Sequence, residues 1–110
     1  MSGGEDPEIA RLRREIDALD AEIIRLLNER ARRAAAIGAV KRSLGRPVYD
    51  PERERWILDR VREESTGPLT PEAVRRLYER ILDESRRLER LAVEADEGGR
   101  EDRPAPEAQR

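Results

Sequence analysis

The chain of 110 residues contains no cysteine, no histidine and no phenylalanine. Without cysteine it can form no disulfide and offers no thiol for catalysis. The joint absence of cysteine and histidine removes the side chains that zinc and other transition metals prefer, so we expect no metal and no cofactor. Missing histidine also removes the commonest general base. If the chain is an enzyme, we therefore expect a reaction that needs little proton transfer and no covalent intermediate.

Lysine is almost absent as well, because Lys41 is the single lysine among 23 basic residues. A lysine ammonium is a compact point charge, whereas an arginine guanidinium is a planar fork, so the two are not interchangeable at a binding site. Chance in an arginine-biased genome is the simpler explanation of one remaining lysine. The other polar residues on its helix face, described below, favour a functional role.

Charge and hydropathy narrow the class of protein further. The net charge is only −2, and acidic residues accompany the arginines on each segment, which indicates solvated helix faces and argues against nucleic-acid binding. With 36% hydrophobic residues, a monomer of this length can bury little core, so we expect an oligomer. We find no signal peptide and no apolar run of membrane-spanning length, and therefore expect a cytoplasmic protein without membrane contact.

Three segments begin with a capping residue followed by proline and glutamate. The capping side chain accepts a hydrogen bond from the first turn, proline needs no N–H partner there, and the acid faces the positive helix end. These signatures are Asp6-Pro7-Glu8, Asp50-Pro51-Glu52 and Thr70-Pro71-Glu72. They predict an all-α fold with three helices, over about 7–42, 51–65 and 71–95. The two terminal segments, residues 1–6 and the charged tail at 96–110, are predicted to be disordered.

The first predicted helix carries an apolar seam with the spacing of a coiled coil. The seam consists of Ile9, Leu12, Ile16, Leu19, Ile23 and Leu26. A helix of about 36 residues is about 50 Å long, which is too long for a compact three-helix monomer. We therefore expect the helix to pair with the same helix of a second copy.

Basic residues interrupt this seam. Arg30 and Arg33 follow Leu26 at seam positions, and Lys41 shares a helix face with Arg30. A guanidinium on a buried seam is costly unless an anion meets it. Arg13 takes the same heptad position as Lys41 but lies about 25 Å along the helix from Arg30. One small ligand can contact both arginines only if Arg13 comes from an antiparallel partner chain.

The other two helices also place polar residues on their apolar faces. Arg53 lines up with Ile57 and Val61 and is expected to point inward. Ser85 and Glu89 lie on the apolar stripe of the third helix, one turn apart. Each residue alone is explained by packing or by a solvated helix edge. Together with the cations of the first helix, they indicate an enclosed pocket for a small anion, a dicarboxylate or a phosphate.

The spacing of these residues matches a known family from about Arg11 to Leu91. The most specific element is Arg46-Pro47-Val48-Tyr49-Asp50 followed by Arg53-Glu54, and the first helix adds Leu12-Arg13, Glu29-Arg30 and Lys41. In these motifs the chain resembles the all-helical class of chorismate mutases. The resemblance implies an isomerase that converts chorismate to prephenate in phenylalanine and tyrosine biosynthesis, part of the shikimate pathway. It also implies an intertwined homodimer with two pockets.

The resemblance implies a role for each of eight residues. Four cations are implied to bind the two carboxylates of chorismate: Arg13, Arg30, Lys41 and Arg53. Of these, Arg13 reaches the pocket across the dimer interface. Three other polar residues are implied to line the pocket: Asp50, Glu54 and Ser85. Of these, Glu54 holds the ring hydroxyl. Lys41 and Glu89 are implied to approach the ether oxygen of the breaking bond. The catalytic residues that the resemblance implies are these two and Arg30.

Glu89 departs from the family members that carry glutamine at this position. An ionised carboxylate would repel the ether oxygen, so Glu89 must be protonated to donate a hydrogen bond. Burial raises the pKa of such a carboxyl group and nearby cations lower it, and the sequence leaves this balance open. If Glu89 has this role, we expect activity to rise toward acidic pH.

Other functions fit the same residues. An isochorismate pyruvate-lyase or an aminodeoxychorismate mutase would use the same scaffold on a related substrate. A non-enzymatic helical dimerisation module would use the polar seam residues only to fix register. The sequence also leaves open an association with another enzyme of the shikimate pathway.

Overall fold

The computed structural model describes residue 4 and residues 6–102, with side chains for residues 4, 6–92 and 94. This part of the chain is all-helical, with α1 at Pro7–Leu44, α2 at Pro51–Glu64 and α3 at Pro71–Asp102. The predicted all-α fold of three helices is therefore confirmed. None of the described helices is both long enough and apolar enough to cross a membrane. The chain divides after Arg32 into two compact units.

Each helix begins at its predicted capping signature. The side-chain oxygens of Asp6, Asp50 and Thr70 accept hydrogen bonds from first-turn backbone N–H groups at 2.7, 3.1 and 3.1 Å. A proline follows each cap as the first helical residue. These local hydrogen bonds satisfy donors that a helix start otherwise leaves unpaired, which explains why the starting positions were predictable.

The helix ends differ slightly from the predicted ones. α1 ends at Leu44 instead of about residue 42, because Gly45 adopts a positive φ of 69°. The N–H of Gly45 donates to the carbonyl of Arg42 at 3.1 Å, and that of Arg46 donates to the carbonyl of Lys41 at 2.8 Å. This pair of bonds is the Schellman arrangement, which needs the left-handed conformation that glycine adopts without strain. α2 ends at Glu64, one residue before the predicted end.

α3 continues to Asp102, past the predicted end at residue 95. Two glycines at 98 and 99 cost about 1 kcal/mol each in a helix, but extending an existing helix is easier than starting one. The disorder predicted over 96–110 is thus corrected for 96–102. Its remainder, 103–110, lies outside the described residues, as do 1–3 and 5 of the predicted N-terminal segment.

The first unit exposes the apolar seam of α1. Its side chains are 44–62% exposed in the protomer: Ile9, Leu12, Ile16, Leu19, Ile23 and Leu26. Charged residues on the same helix pair locally, Arg11 with Glu8 and Glu15, and Arg25 with Glu22 and Glu29. These pairs confirm the predicted solvated faces, while the seam is exposed in the described part of the first unit.

The second unit contains the few buried residues. Only four of the described residues are buried: Ala34, Gly38, Leu82 and Glu89. α2 packs on α3, with Leu82 only 5% exposed, although Leu77 of the predicted apolar stripe is 56% exposed. A carboxyl group among so few buried residues is unusual, because glutamate is almost never buried without a partner.

Candidate functional site

Lys41 and Glu89 form the centre of the charged cluster in the second unit. The Lys41 Nζ lies 3.5 Å from Oε2 of Glu89, and it donates a 2.7 Å hydrogen bond to the carbonyl of Val48. The side chains of Lys41 and Glu89 are only 19% and 11% exposed. The cation is therefore held by the loop after α1 and faces a carboxyl group of α3, in partly desolvated surroundings where charges interact strongly.

Gly38 brings α1 against the backbone of Glu89. A Cβ atom at Gly38 would lie 2.8 Å from both the Cα and the carbonyl oxygen of Glu89. Such distances to backbone atoms are too short for any side chain, so glycine allows the close approach that places Lys41 beside Glu89. The sequence interpretation assigned no role to Gly38. Its signal was a glycine in the interior of a helix, where it costs about 1 kcal/mol relative to alanine unless packing requires it.

Gly38→Ala is expected to destabilise the protein despite the better helix propensity of alanine. The overlap with Glu89 costs about 1–3 kcal/mol, against a gain of about 1 kcal/mol from propensity. Urea unfolding followed by circular dichroism measures the difference. Ala36→Gly, at an exposed position of α1, calibrates the propensity contribution alone. A Gly38→Ala protein about 1 kcal/mol more stable than wild type would show that the close approach imposes no constraint.

The pKa of Glu89 is raised from its ordinary value, chiefly because burial penalises the charged carboxylate. Lys41 acts in the opposite direction, while the carboxylates of Glu54 and Asp50 raise the pKa further. The balance that the sequence left open is therefore decided by burial. A raised pKa extends to higher pH the range in which Glu89 is a neutral acid that can donate a hydrogen bond.

Glu54 is held by an arginine that the sequence interpretation did not include. Arg86 of α3 donates from Nε to Oε2 of Glu54 at 2.6 Å and from Nη2 to Oδ1 of Asp83 at 2.6 Å. Its guanidinium also lies over the ring of Tyr49, 5.4 Å from the centroid. The available signal was its position four residues after Leu82, at the edge of the apolar stripe. Arg86 thus links α3 to α2 and to the loop before it.

Arg53 does not point inward as predicted. It is exposed, and its guanidinium carbon lies 4.7 Å from the ring centroid of Trp56. Residues three apart are neighbours on a helix surface, and the attraction between a cation and an aromatic face is strongest for tryptophan. This local contact explains the outward orientation in the protomer.

Asp50 and Ser85 use their side chains within their own helices. Asp50 caps α2 through the backbone N–H of Arg53, and the hydroxyl of Ser85 donates to the carbonyl of Ile81 at 2.9 Å. In the first unit, Arg13 is exposed and Arg30 is half-buried. The structure therefore brings Lys41 and Glu89 into contact, while the binding roles of all eight residues stay predictions.

The fold and these contacts define an all-helical protein with a partly buried, charged site. The family model of type II chorismate mutase matches residues 12–90, which is most of the described chain. The chain belongs to the type II chorismate mutase family.

Three comparisons illustrate the similarity. The bifunctional chorismate mutase/prephenate dehydratase of Neisseria gonorrhoeae is 47% identical over 78 residues, covering 71% of this chain but 21% of the relative. The form II structure of the Thermus thermophilus chorismate mutase matches with a TM-score of 0.74 and 41% identity, over 76% of this chain and 94% of that one. The Helicobacter pylori chorismate mutase in complex with prephenate matches with a TM-score of 0.74 and 34% identity, over 81% and 97%.

The lengths of the relatives differ. The chain spans between about a fifth and somewhat more than a quarter of the bifunctional relatives, 21% in one and 28% in another. It spans 94–97% of the two solved chorismate mutases named above. The similarity to the bifunctional proteins therefore concerns one part of them.

Proposed function

We propose that this chain is an isomerase that converts chorismate to prephenate. The observation that carries the proposal is the contact between Lys41 and Glu89, two partly buried groups in a chain of the type II chorismate mutase family. A neighbour of the same fold is a chorismate mutase in complex with prephenate, the product of this reaction. Aromatic amino acid biosynthesis is the pathway in which this activity belongs.

The reaction suits a site built from charges. In one cyclic step the ether C–O bond of chorismate breaks and a C–C bond forms, with no nucleophile and no net proton transfer. The enzyme must hold the flexible dianion in its reactive conformation and stabilise the negative charge that develops on the ether oxygen. The first effect is one of orientation. The second needs a fixed cation or hydrogen-bond donor in a desolvated site, which Lys41 and protonated Glu89 supply.

The other predicted residues have binding roles in this proposal. Arginine forks suit carboxylates, which they bind through two hydrogen bonds, so three arginines and Lys41 recognise the dianion. Arg53 would leave the face of Trp56 when it binds substrate. Glu54 accepts a hydrogen bond from the ring hydroxyl of chorismate, and Asp50 and Ser85 line the pocket. The full set is Arg13, Arg30, Lys41, Asp50, Arg53, Glu54, Ser85 and Glu89.

The proposal includes an intertwined homodimer in which Arg13 reaches the pocket of the partner chain. The exposed seam of α1 supports it, since six large apolar side chains are 44–62% exposed in the protomer. Monomeric proteins rarely expose a continuous apolar surface of that extent. We assign the dimer and both pockets to a domain at 7–95, which contains the family match over 12–90.

Location and further partners complete the proposal. A cytoplasmic location stays a prediction from the sequence. An association with another enzyme of the same pathway is supported by relatives whose names join a chorismate mutase to a prephenate dehydratase.

The direct test is to mix the purified protein with chorismate and to assay prephenate and pyruvate separately, followed by the same assays on isochorismate and on an aminated chorismate. Prephenate without pyruvate is the expected result. Pyruvate from isochorismate, or rearrangement of an aminated chorismate alone, would assign one of the related activities instead. No conversion of any of the three substrates would leave the helical dimerisation module.

The proposed activity is expected to fall as pH rises through the raised pKa of Glu89. Only the protonated carboxyl donates to the ether oxygen, and that form is lost above its pKa. The charged groups acting on Glu89 are Lys41 of α1, Glu54 of α2 and Asp50 at its cap. Glu89→Gln should give a kcat nearly independent of pH from 5 to 8, because an amide donates throughout this range. A wild-type kcat equally flat over this range would contradict the role of Glu89.

A further inference from the structure

The hydroxyl-binding carboxylate, Glu54, is part of a larger arrangement that centres on Arg86. Given the proposed function, on which this inference rests, we propose that Arg86 is a positioning residue that fixes Glu54 for the ring hydroxyl of the substrate. Neither the motifs of the sequence nor the family resemblance assigned Arg86 a role. The inference stands on three contacts of its guanidinium in the second unit.

The guanidinium of Arg86 is held from two sides. Nε donates to Glu54 on α2 and Nη2 donates to Asp83 on α3, each at 2.6 Å. The plane of the group also lies over Tyr49, 5.4 Å from the ring centroid. A planar fork fixed at two nitrogens has little rotational freedom, so the oxygen that it binds is fixed as well.

The arrangement leaves a defined acceptor for a ligand. Arg86 binds Oε2 of Glu54, and a carboxylate has a second oxygen, Oε1, that can accept from a hydroxyl group. The side chains of Arg86 and Glu54 are 27% and 17% exposed, so solvent screens their attraction less than it screens a surface pair. Hydrogen bonding to Glu54 is also the largest cause of the raised pKa of Arg86.

A second ion pair between α2 and α3 provides a matched control. Arg62 Nη2 lies 2.8 Å from Oε2 of Glu72, with side chains that are 44% and 59% exposed. Like the pair of Arg86 and Glu54, it joins the two helices through an arginine and a glutamate. It involves none of the proposed site residues. A structural effect of removing an α2–α3 ion pair should therefore appear in both cases, whereas an effect on ligand recognition should appear only for Arg86.

The test compares steady-state kinetics on chorismate for the 110-residue wild type, Arg86→Met, Arg86→Lys and Arg62→Met. Arg86→Met should raise KM about 10-fold, because a misplaced Glu54 loses much of a charge-assisted hydrogen bond to the hydroxyl, which is worth about 10-fold or more in binding. Its kcat should change less than KM, since the hydroxyl contact exists in both ground and transition states. Arg86→Lys should recover part of the loss, because an ammonium can reach Glu54 but lacks the fork that also holds Asp83. Arg62→Met should stay within about twofold of wild type.

The double variant Arg86→Met/Glu54→Gln separates positioning from an independent contribution. If Arg86 acts through Glu54, the double variant should have about the same KM as Glu54→Gln alone. Three results would each overturn the inference. The KM of the double variant could show the multiplied effects of both single changes, or Arg86→Met could leave KM unchanged. Arg86→Met could also lower KM, as expected if Arg86 competes with the ligand for Glu54. Wild type without conversion of chorismate would overturn the proposed function and this inference with it. An active wild type with an unchanged Arg86→Met would overturn this inference alone.

Discussion

Lys41→Met is expected to lower kcat for chorismate by about 100-fold to 1,000-fold, the usual loss when one donor to a developing oxyanion is removed. Lys41 is partly buried and its Nζ is anchored 2.7 Å from the carbonyl of Val48. In the proposed mechanism, its charge is therefore already in place when charge develops on the ether oxygen, with no reorganisation. Methionine preserves much of the length of the side chain and removes the charge.

The loss cannot be attributed to ionisation of Glu89. Lys41 lowers the pKa of Glu89, so removing the lysine raises that pKa and keeps the acid protonated to higher pH. Lys41→Arg retains the charge but replaces a compact ammonium by a fork, and it should remain strongly impaired. Arg90→Met removes an exposed cation next to Glu89 in sequence and should leave kcat unchanged. A Lys41→Met protein with kcat within about threefold of wild type, folded by circular dichroism, would rule out this role.

The helices were predictable because their starts are set by neighbouring residues. Asp6, Asp50 and Thr70 cap the helices through hydrogen bonds that span two or three residues. The end of α3 was not predictable in this way. The two glycines at 98 and 99 suggested a break, but the helix extends past them to Asp102. Sequence therefore determined the fold to within one or two residues wherever a local hydrogen bond marks the boundary.

The site was less predictable because its contacts join distant parts of the chain. The two groups Lys41 and Glu89 are in contact, while their shared service in one pocket stays a prediction. A glycine inside a helix signals a close approach at Gly38, but only the folded chain shows that its partner is the backbone of Glu89. Likewise, Arg86 could be connected with Glu54 only after α2 and α3 were packed, and Arg53 turned toward Trp56 instead of inward. The direction of the Glu89 pKa depends on its burial, which only the folded chain defines.

Mixed dimers of Arg13→Ala and Lys41→Met are expected to recover about a quarter of the wild-type activity. Each homodimer lacks one essential cation in both pockets, and each should lose at least about 30-fold. In a mixed dimer of the proposed kind, the Arg13→Ala chain supplies Lys41 and the Lys41→Met chain supplies Arg13 to the same pocket. Random association makes about half of the dimers mixed, with one complete pocket of two in each. The exposed position of Arg13 on α1 is compatible with a contact across the interface.

The matched control mixes Lys41→Met with Arg30→Ala. The proposed pocket takes Arg30 and Lys41 from the same chain, so every mixed dimer then lacks one of them in each pocket and no activity should return. In each mixture, the two variants are unfolded in urea and refolded together. Size exclusion with light scattering then establishes that dimers have formed. Recovery in both mixtures would show that the deficient chains help each other by some route other than a shared pocket. Recovery in neither, with dimers present, would place Arg13 outside the partner's pocket, because complementation requires that each complete pocket draw residues from two chains.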